Sequence, residues 1–408
     1  MPVNFKDQVK QLQIENNQRE TDNTSQIDLK GYQQIIQNQC EIIQPEKIKN
    51  FDKGIAIIYN PTSGKSKEIQ KLIQEFLDKR NINHQFIATE RLYHAIDLCQ
   101  KELDLSKFDA IMPVGGDGTI HEVINGMLRR KDKAKLPIIM VPNGTGNDFC
   151  GTFYIDTPEQ ALTNLENPSK MKIDVLRALI DHENEESIPP HLQKDLHRYS
   201  IINSCISLPA RAAGFAPKIK HIFGSQAYVV STAGYILTHK PDYYDIYIDN
   251  KKYFDNLDVS CIFVNNGKLG GGRNILNSFG IINDGLTEIG IVTNMFTKYG
   301  MIRGIPIIQK FFNGATKAGG LHVYDQENYQ LGRGQEIKIV NKNYLPQSLS
   351  SYSLGNQEVT KKAVSLNIDG EAFKFHEFVK YTVLHNEIEI IVDYERLLRQ
   401  SKYDLTNV

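Results

Sequence analysis

Apolar positions along the chain fall into two regimes, and the change between them organises it. From Gly54 onward, short apolar runs alternate with amphipathic stretches. Gly54–Tyr59 is an apolar run closed by Asn-Pro and predicts a buried strand. Beyond it Ile69, Leu72, Ile73, Phe76 and Leu77 recur at helical spacing. Gln85–Ala88 predicts a second strand, Leu92, Ala95, Ile96 and Cys99 a second helix, and Phe108–Val114 a third strand. Ile120, Val123, Ile124, Met127 and Leu128 share one helix face, and Pro137–Val141 predicts a fourth strand. Strands alternating with helices imply a parallel sheet covered on both faces.

After about residue 170 the helical period gives way to alternation over short runs. Tyr244–Ile248, Val259–Val264, Glu288–Val292, Glu336–Val340, Val364–Ile368 and Glu387–Val392 predict antiparallel strands, interrupted by helices near Ser225–Leu237 and Lys298–Phe312. The polar stretches Asp181–Arg198 and Asn341–Lys361 are expected to be surface loops. The expected fold class is thus α/β plus all-β. An N-terminal parallel-sheet nucleotide domain spans 54–168, an antiparallel β-sandwich spans 169–395, and a tail covers 396–408. The Gln/Asn-rich residues 1–50 are expected to be a largely disordered extension.

Composition narrows the setting. A chain of 408 residues supports more than one core. A net charge of −1 removes any overall pull toward nucleic acid or an anionic membrane. No apolar run reaches the roughly 20 residues needed to span a bilayer, and the first residues lack a signal peptide's apolar core. Cys40, Cys99, Cys150, Cys205 and Cys261 form no CxxC pair and show no metal spacing, which points to a reducing compartment. The expectation is a cytoplasmic protein with no transmembrane segment and no nucleic-acid partner, whose membrane contacts are peripheral and local.

Chemistry concentrates in the turns that close the apolar runs. Asn60-Pro61-Thr62-Ser63-Gly64-Lys65 leads into a helix, whose N-terminus offers free N–H groups and the positive dipole end to a phosphate. Thr62 and Ser63 add hydroxyls and Gly64 permits close approach. A plain capped turn would use the same residues, and the GxxxxGK[ST] spacing of a Walker A loop is absent. In Gly115-Gly116-Asp117-Gly118-Thr119, three glycines suit a turn with positive φ where phosphates lie on bare backbone. Asp117 can hold Mg²⁺ and Thr119 can cap the next helix or touch phosphate. Asn143-Gly144-Thr145-Gly146-Asn147-Asp148 supplies a further glycine-rich surface with hydroxyl and amide donors. His121, on the first helix turn after GGDGT, is expected to be structural or solvent-facing, Glu122 to be favoured there by the helix dipole, and Lys65 to be a solvated lysine.

In this order NPTSGK, GGDGTIHEVINGM and NGTGNDF resemble the catalytic domain shared by diacylglycerol kinases, sphingosine and ceramide kinases, and bacterial lipid kinases. GGDGT alone also occurs in phosphofructokinases and NAD kinases; together with GTGND it is specific. The resemblance covers about residues 54–395. It implies an ATP site in the cleft between the two domains, with Asn60, Thr62, Ser63, Gly64, Gly115–Thr119, Gly144, Thr145, Gly146 and Asn147 around the nucleotide and Mg²⁺ on Asp117. Asp369-Gly370-Glu371 matches the family's DGE turn, which makes Asp369 the implied general base, supported by Glu371, with Asp174 linking the carboxylates to the metal. Asn283-Asp284-Gly285-Leu286 matches a turn that in bacterial members holds a structural Mg²⁺, implicating Asp284 and the Leu286 backbone.

The activity so implied is ATP-dependent phosphorylation of a primary hydroxyl on a membrane lipid. GTGNDF stands where sphingosine kinases carry GSGNA, and Ile206–Ile222 lacks the acid that a cationic sphingoid base favours. Both point to diacylglycerol, giving phosphatidic acid. HEVxNG is shared with sphingosine kinases and keeps a sphingoid-base or ceramide kinase open. The stretch ISLPARAA at Ile206–Ala213 and the residues Ile275–Phe279 after Gly270-Gly271-Gly272 depart from the family's lipid domain. Apolar Phe215, Ile219, Ile222 and Phe223, interleaved with Lys218, Lys220 and His221, suit an interfacial contact. A non-catalytic nucleotide- or lipid-binding protein of the same fold would be free to lose the acids retained here, and an NAD kinase would carry Asn-Glu at Asn147-Asp148. A homodimer is a further partner to test for.

Overall fold

A computed structural model describes residues 46–48, 50–62, 65–223, 230–232, 234–235, 242–276, 280–293, 329–343 and 362–406. The expected extension up to residue 45, Ser63, Gly64, the expected helix Lys298–Phe312 and most of Ser225–Leu237 and Asn341–Lys361 lie outside the described residues.

After a short β1 (Glu46–Lys47), the chain runs β2 (Ile55–Tyr59), α1 (Ser66–Asp78), β3 (His84–Ala88), α2 (His94–Asp97), β4 (Ala110–Gly115), α3 (Asp117–Leu128) and β5 (Val141–Pro142). The four core strands pair in parallel in the order β3-β2-β4-β5. They are the apolar runs of the sequence, and Ile55, Ile57, Ile111, Met112 and Val114 are buried outright. Helix α1 turns Ile69, Ile73 and Leu77 onto the sheet. Because β2, β4 and β5 are adjacent and parallel, the turns leaving their C-terminal ends lie side by side, the usual place for a ligand in an open α/β sheet.

The expected fourth strand behaves as a splice between two sheets. Ile138 bridges Ile111 on one side and Ile390 on the other, and its N–H bonds to the Glu389 carbonyl at 2.9 Å. One core therefore crosses the domain boundary, holding Ile57 and Val123 together with Ile173, Ile201 and Ile390.

Helices α4 (Asp148–Thr152) and α5 (Pro158–Thr163) lead into the second unit. There follow β6 (Ser169–Ile180), α6 (Gln193–Leu196), β7 (His197–Ser200), β8 (Asn203–Ser207), α7 (Leu208–Phe223), β9 (Asp242–Ile248), β10 (Lys251–Asn265), β11 (Leu269–Gly270), β12 (Asn274–Ile275) and β13 (Thr287–Thr293). The chain continues through β14 (Tyr329–Gly334), β15 (Glu336–Asn341), β16 (Val364–Ile368), β17 (Glu371–Phe375), β18 (Phe378–Val392) and α8 (Tyr394–Thr406). Among the described residues an antiparallel sheet runs β1-β6-β18-β15-β9-β10-β8-β16-β17, with β13 and β14 branching from β10. Leu176, Ile206, Tyr244, Ile262, Ile289, Ile339, Leu366 and Tyr381 from eight of its strands meet in one core, so the sheet folds over its own apolar face.

Several strands are longer than the alternation indicated. β18 begins at Phe378, not Glu387, and β10 at Lys251, not Val259. The register shifts between Leu384 and Ile388 and between Lys252 and Leu257, and such bulges break the period of two on which strand prediction rests. The polar stretch from Asp181 ends in β7, where His197 and Arg198 are buried.

Candidate active site

The three glycine-bearing turns meet at the C-terminal edge of the parallel sheet. Asn60 accepts hydrogen bonds through Oδ1 from the Thr62 N–H (2.9 Å) and hydroxyl (2.8 Å), which folds its turn over the end of β2. The Lys65 N–H donates to Asn143 Oδ1 at 3.2 Å and so ties the first turn to the third. The Lys65 side chain is exposed and faces Glu68.

Gly115 and Gly116 of GGDGT serve proximity, and none of its three glycines has the positive φ expected: Gly54, Gly271, Gly272, Gly285 and Gly370 are the glycines with positive φ among the described residues. A Cβ on Gly144 would stand 2.4 Å from the Gly116 Cα, so the second and third turns touch backbone to backbone. Thr119 folds its side chain over Gly115, whereas Gly118 has open space beside it. Asn147, expected to face the nucleotide, spends its amide on its own loop, accepting from Gly144 N–H and donating to Gly144 C=O, both at 2.9 Å. Its φ of 53° is one that Asn tolerates.

The first and third turns wall a cleft of about 950 Å³. Asn60, Lys65, Asn143, Gly144, Thr145 and Asn147 line one side, Ile69, Leu72 and Pro142 give it an apolar floor, and Asp156–Glu159 close the other side. That volume and lining suit a nucleotide. Gly115–Thr119 and the DGE turn lie outside this cleft. Gly115–Thr119 adjoin it through the Gly116–Gly144 contact, and Asp117 Oδ2 would stand 3.1 Å from a Cβ on Gly146.

Asp117 opens α3 and at the same time caps α4, accepting from the Asp148 N–H (3.1 Å) and the Phe149 N–H (3.0 Å). Burial raises its pKa above the usual carboxylate value, and the nearby Asp148 and Asp369 push the same way. A divalent cation would relieve this concentration of negative charge. Among the described residues no three His, Cys, Asp or Glu side chains converge as a ready metal cage. The donor set therefore fits Mg²⁺ in its usual manner, held by one carboxylate together with phosphate oxygens and water.

The DGE turn is a two-residue hairpin between β16 and β17, with φ of 48° at Asp369 and 94° at Gly370. Its two acids stand in opposite situations. Asp369 is wholly buried as a side chain and accepts five hydrogen bonds. These come from the Ser200 hydroxyl (2.8 Å), the N–H groups of Ile201 (2.7 Å), Ile202 (3.1 Å) and Asn203 (3.0 Å), and His121 Nδ1 (2.9 Å). A carboxylate so enclosed cannot meet an incoming hydroxyl, which argues against Asp369 as the general base. The Glu371 side chain is 16% exposed, held by Arg198 Nε at 2.9 Å, with His121 Nε2 3.8 Å away.

Asp174 does not join this group. Its buried carboxylate accepts from the Gly285 N–H (2.6 Å), the Asn386 N–H (2.7 Å) and His385 Nδ1 (2.8 Å), and so ties the Asn283–Gly285 turn to the bulge in β18. Both of its oxygens accept from this neighbourhood, so the role that resemblance implies for Asp174, linking carboxylates to the metal, gains no contact with Asp117, Asp369 or Glu371 among its hydrogen bonds.

The expected metal ligation at Asp284 and Leu286 does not fit either. Asp284 Oδ1 accepts the Leu286 N–H at 3.0 Å, and its other oxygen pairs with the Arg333 guanidinium, whose Nε is 2.8 Å from Glu288. The cation between these two buried acids is an arginine from β14. Arg333→Met should therefore destabilise the fold by about 3 kcal/mol, read by urea denaturation, while EDTA should leave the wild-type midpoint unmoved.

Residues not expected in the site include His121 and Asn125, both fully buried, the buried Arg198, and Asp148, which accepts the N–H groups of Gly272 (3.1 Å) and Arg273. The i,i+4 spacing of His121 and Asn125 was the available signal, since it puts both on one helix face. Glu122 accepts the Ala95 N–H at 3.3 Å and so helps to fasten α2.

This architecture is that of the diacylglycerol kinase fold. The chain aligns with a Bacillus anthracis diacylglycerol kinase structure at a TM-score of 0.55 and 16% identity, over 85% of this chain and 98% of that one. Residues 54–178 match the family model of the diacylglycerol kinase catalytic domain. Sphingosine kinase 1 of Mus musculus is 29% identical over 155 residues, 36% of this chain and 40% of that protein. Sphingoid long chain base kinase 4 of Schizosaccharomyces pombe is 32% identical over 137 residues, 31% of this chain and 30% of that protein. The chain thus spans well under half the length of these relatives. These matches make residues 54–178 similar to the catalytic domain of diacylglycerol and sphingosine kinases, on a chain with the diacylglycerol kinase fold.

Proposed function

We propose that the protein transfers the γ-phosphate of ATP to a hydroxyl of a membrane lipid. The observation that carries this reading is the meeting of three elements. A nucleotide-sized cleft abuts GGDGT, Asp117 opens the helix at that loop, and the DGE turn is joined to the same helix through His121. Phosphoryl transfer asks mainly for positioning and electrostatic stabilisation. The backbone around Gly116, Gly118 and Gly144 would cradle the phosphates, and Mg²⁺ on Asp117 would neutralise charge developing on them. Glu371, the less enclosed of the two DGE acids, would accept the hydroxyl proton.

Diacylglycerol is the lipid this reading favours. Asp242, a buried acid beside α7, is paired with Arg211 and lies 3.6 Å from Lys362, so its charge is already balanced. Asp242 thus offers a cationic sphingoid base no free carboxylate. Sphingoid bases remain the second reading, because the matched relatives are named as sphingosine and sphingoid-base kinases. Phe215 and Ile222 on α7 are exposed, with Lys218 and His221 beside them, which suits peripheral contact with a bilayer. No helix among the described residues is long and apolar enough to cross a membrane.

The test is incubation with labelled ATP, Mg²⁺ and mixed micelles carrying dioleoylglycerol or sphingosine. Label in dioleoylglycerol supports the reading, and label in sphingosine alone transfers it to the second lipid. Absence of label in both, with ATP binding intact by calorimetry, would overturn it.

A further inference from the structure

His121 is buried at the junction of the two domains and reaches both acids of the DGE turn. Asp369 can only accept hydrogen bonds as a carboxylate, so the 2.9 Å contact from His121 requires a hydrogen on Nδ1. That leaves Nε2 facing Glu371 Oε1 at 3.8 Å and Asn125 Nδ2 at 3.3 Å. One turn along α3, Asn125 is fixed to the same neighbouring segment: its Nδ2 donates to the Tyr199 carbonyl (2.8 Å) and its Oδ1 accepts the Tyr199 N–H (3.1 Å). Asp369 in turn gathers the Ser200–Asn203 segment. Helix α3, the link between β7 and β8, and the β16–β17 turn are thus locked by one continuous buried network. Asp117 lies one helical turn before His121 on α3, and Glu371 lies two residues after Asp369 on the turn.

From this we infer that His121 is a positioning residue. Its Nδ1–H bond to Asp369 sets where the Glu371 carboxylate stands relative to Asp117, and hence relative to the phosphate under transfer. The inference rests on the kinase reading with Glu371 as proton acceptor. A hydrophobic or merely volume-filling role would be served by any residue of similar size. A positioning role requires a donor at the place of Nδ1, which an asparagine amide can supply and a glutamine amide, one methylene further out, cannot.

The experiment compares His121→Asn, His121→Gln and Glu371→Gln in the full chain. It measures kcat and KM for ATP with whichever of dioleoylglycerol or sphingosine the wild type phosphorylates, together with ATP affinity by calorimetry. His121→Gln should lose about a hundredfold in kcat, the scale of an ångström-size misplacement, with ATP affinity little changed. His121→Asn should recover most of that loss. Equal kcat in the two His121 variants, alongside an inactive Glu371→Gln, overturns the positioning role alone. Wild-type turnover in Glu371→Gln overturns the base assignment and the inference with it. If His121→Gln does not fold, a His121→Asn protein that folds, binds ATP and turns over a hundredfold below wild type is the overturning result, and near-wild-type turnover the supporting one.

Discussion

Asp117→Asn is expected to lower phosphoryl transfer by about a hundredfold to a thousandfold, the scale of removing one preorganised electrostatic contact to the transition state. The amide keeps the volume of the side chain and one acceptor for the N–H groups that begin α4, so ATP should still enter the cleft. What it removes is the charge that would hold Mg²⁺ against the phosphates. The same substitution has a stability signature. Burial raises the folded-state pKa of Asp117 above its reference of 3.8. The ionised group therefore costs stability above the folded pKa, and that cost fades as the pH falls toward the unfolded value. Wild type should gain stability relative to Asp117→Asn as the pH is lowered through that window, read by urea midpoints from pH 7 downward. A constant difference across the window would refute the buried-charge account of Asp117, and retained turnover would refute its role at the phosphates.

The second large effect separates the two acids of the DGE turn. Glu371→Gln should cost about 10² to 10⁴ in kcat, the range for a lost general base, with folding and ATP binding preserved. Asp369→Asn should instead act on the fold. It sets an amide N–H₂ against a ring of donors comprising three backbone N–H groups, the Ser200 hydroxyl and His121. Leaving buried donors without a charged acceptor costs about 3 kcal/mol or more. A thermal melt and a turnover assay on both variants distinguish the assignments. A stable, inactive Asp369→Asn beside an active Glu371→Gln would restore Asp369 as the base.

The same pair shows where reading the chain stops. The Ile368-Asp369-Gly370-Glu371 sequence announces a tight hairpin with two acids, and that hairpin is present. Which acid is enclosed depends on the Ser200–Asn203 segment, more than 160 residues away along the chain. Asp174 and Asp284 repeat the lesson. Each has the residue type of a metal-linked acid, yet its side-chain partners are His385 and Arg333, brought in by β18 and β14. His121 takes the structural half of its expectation: it is buried between two carboxylates because α3 packs against a distant hairpin.

What the amino-acid sequence determined by itself was the alternation of strands and helices in the first domain, the antiparallel character of the second, and the three glycine turns with their acid. Those features rest on local chemistry: a period of 3.6 or 2, glycines clustered in the turns that close apolar runs, an Asp at a helix start. The tertiary structure alone decided the division of labour among the acids. Burial and hydrogen-bond partners set whether a carboxylate receives a proton, holds a cation or braces a turn, and those partners come from strands and helices that only folding brings together.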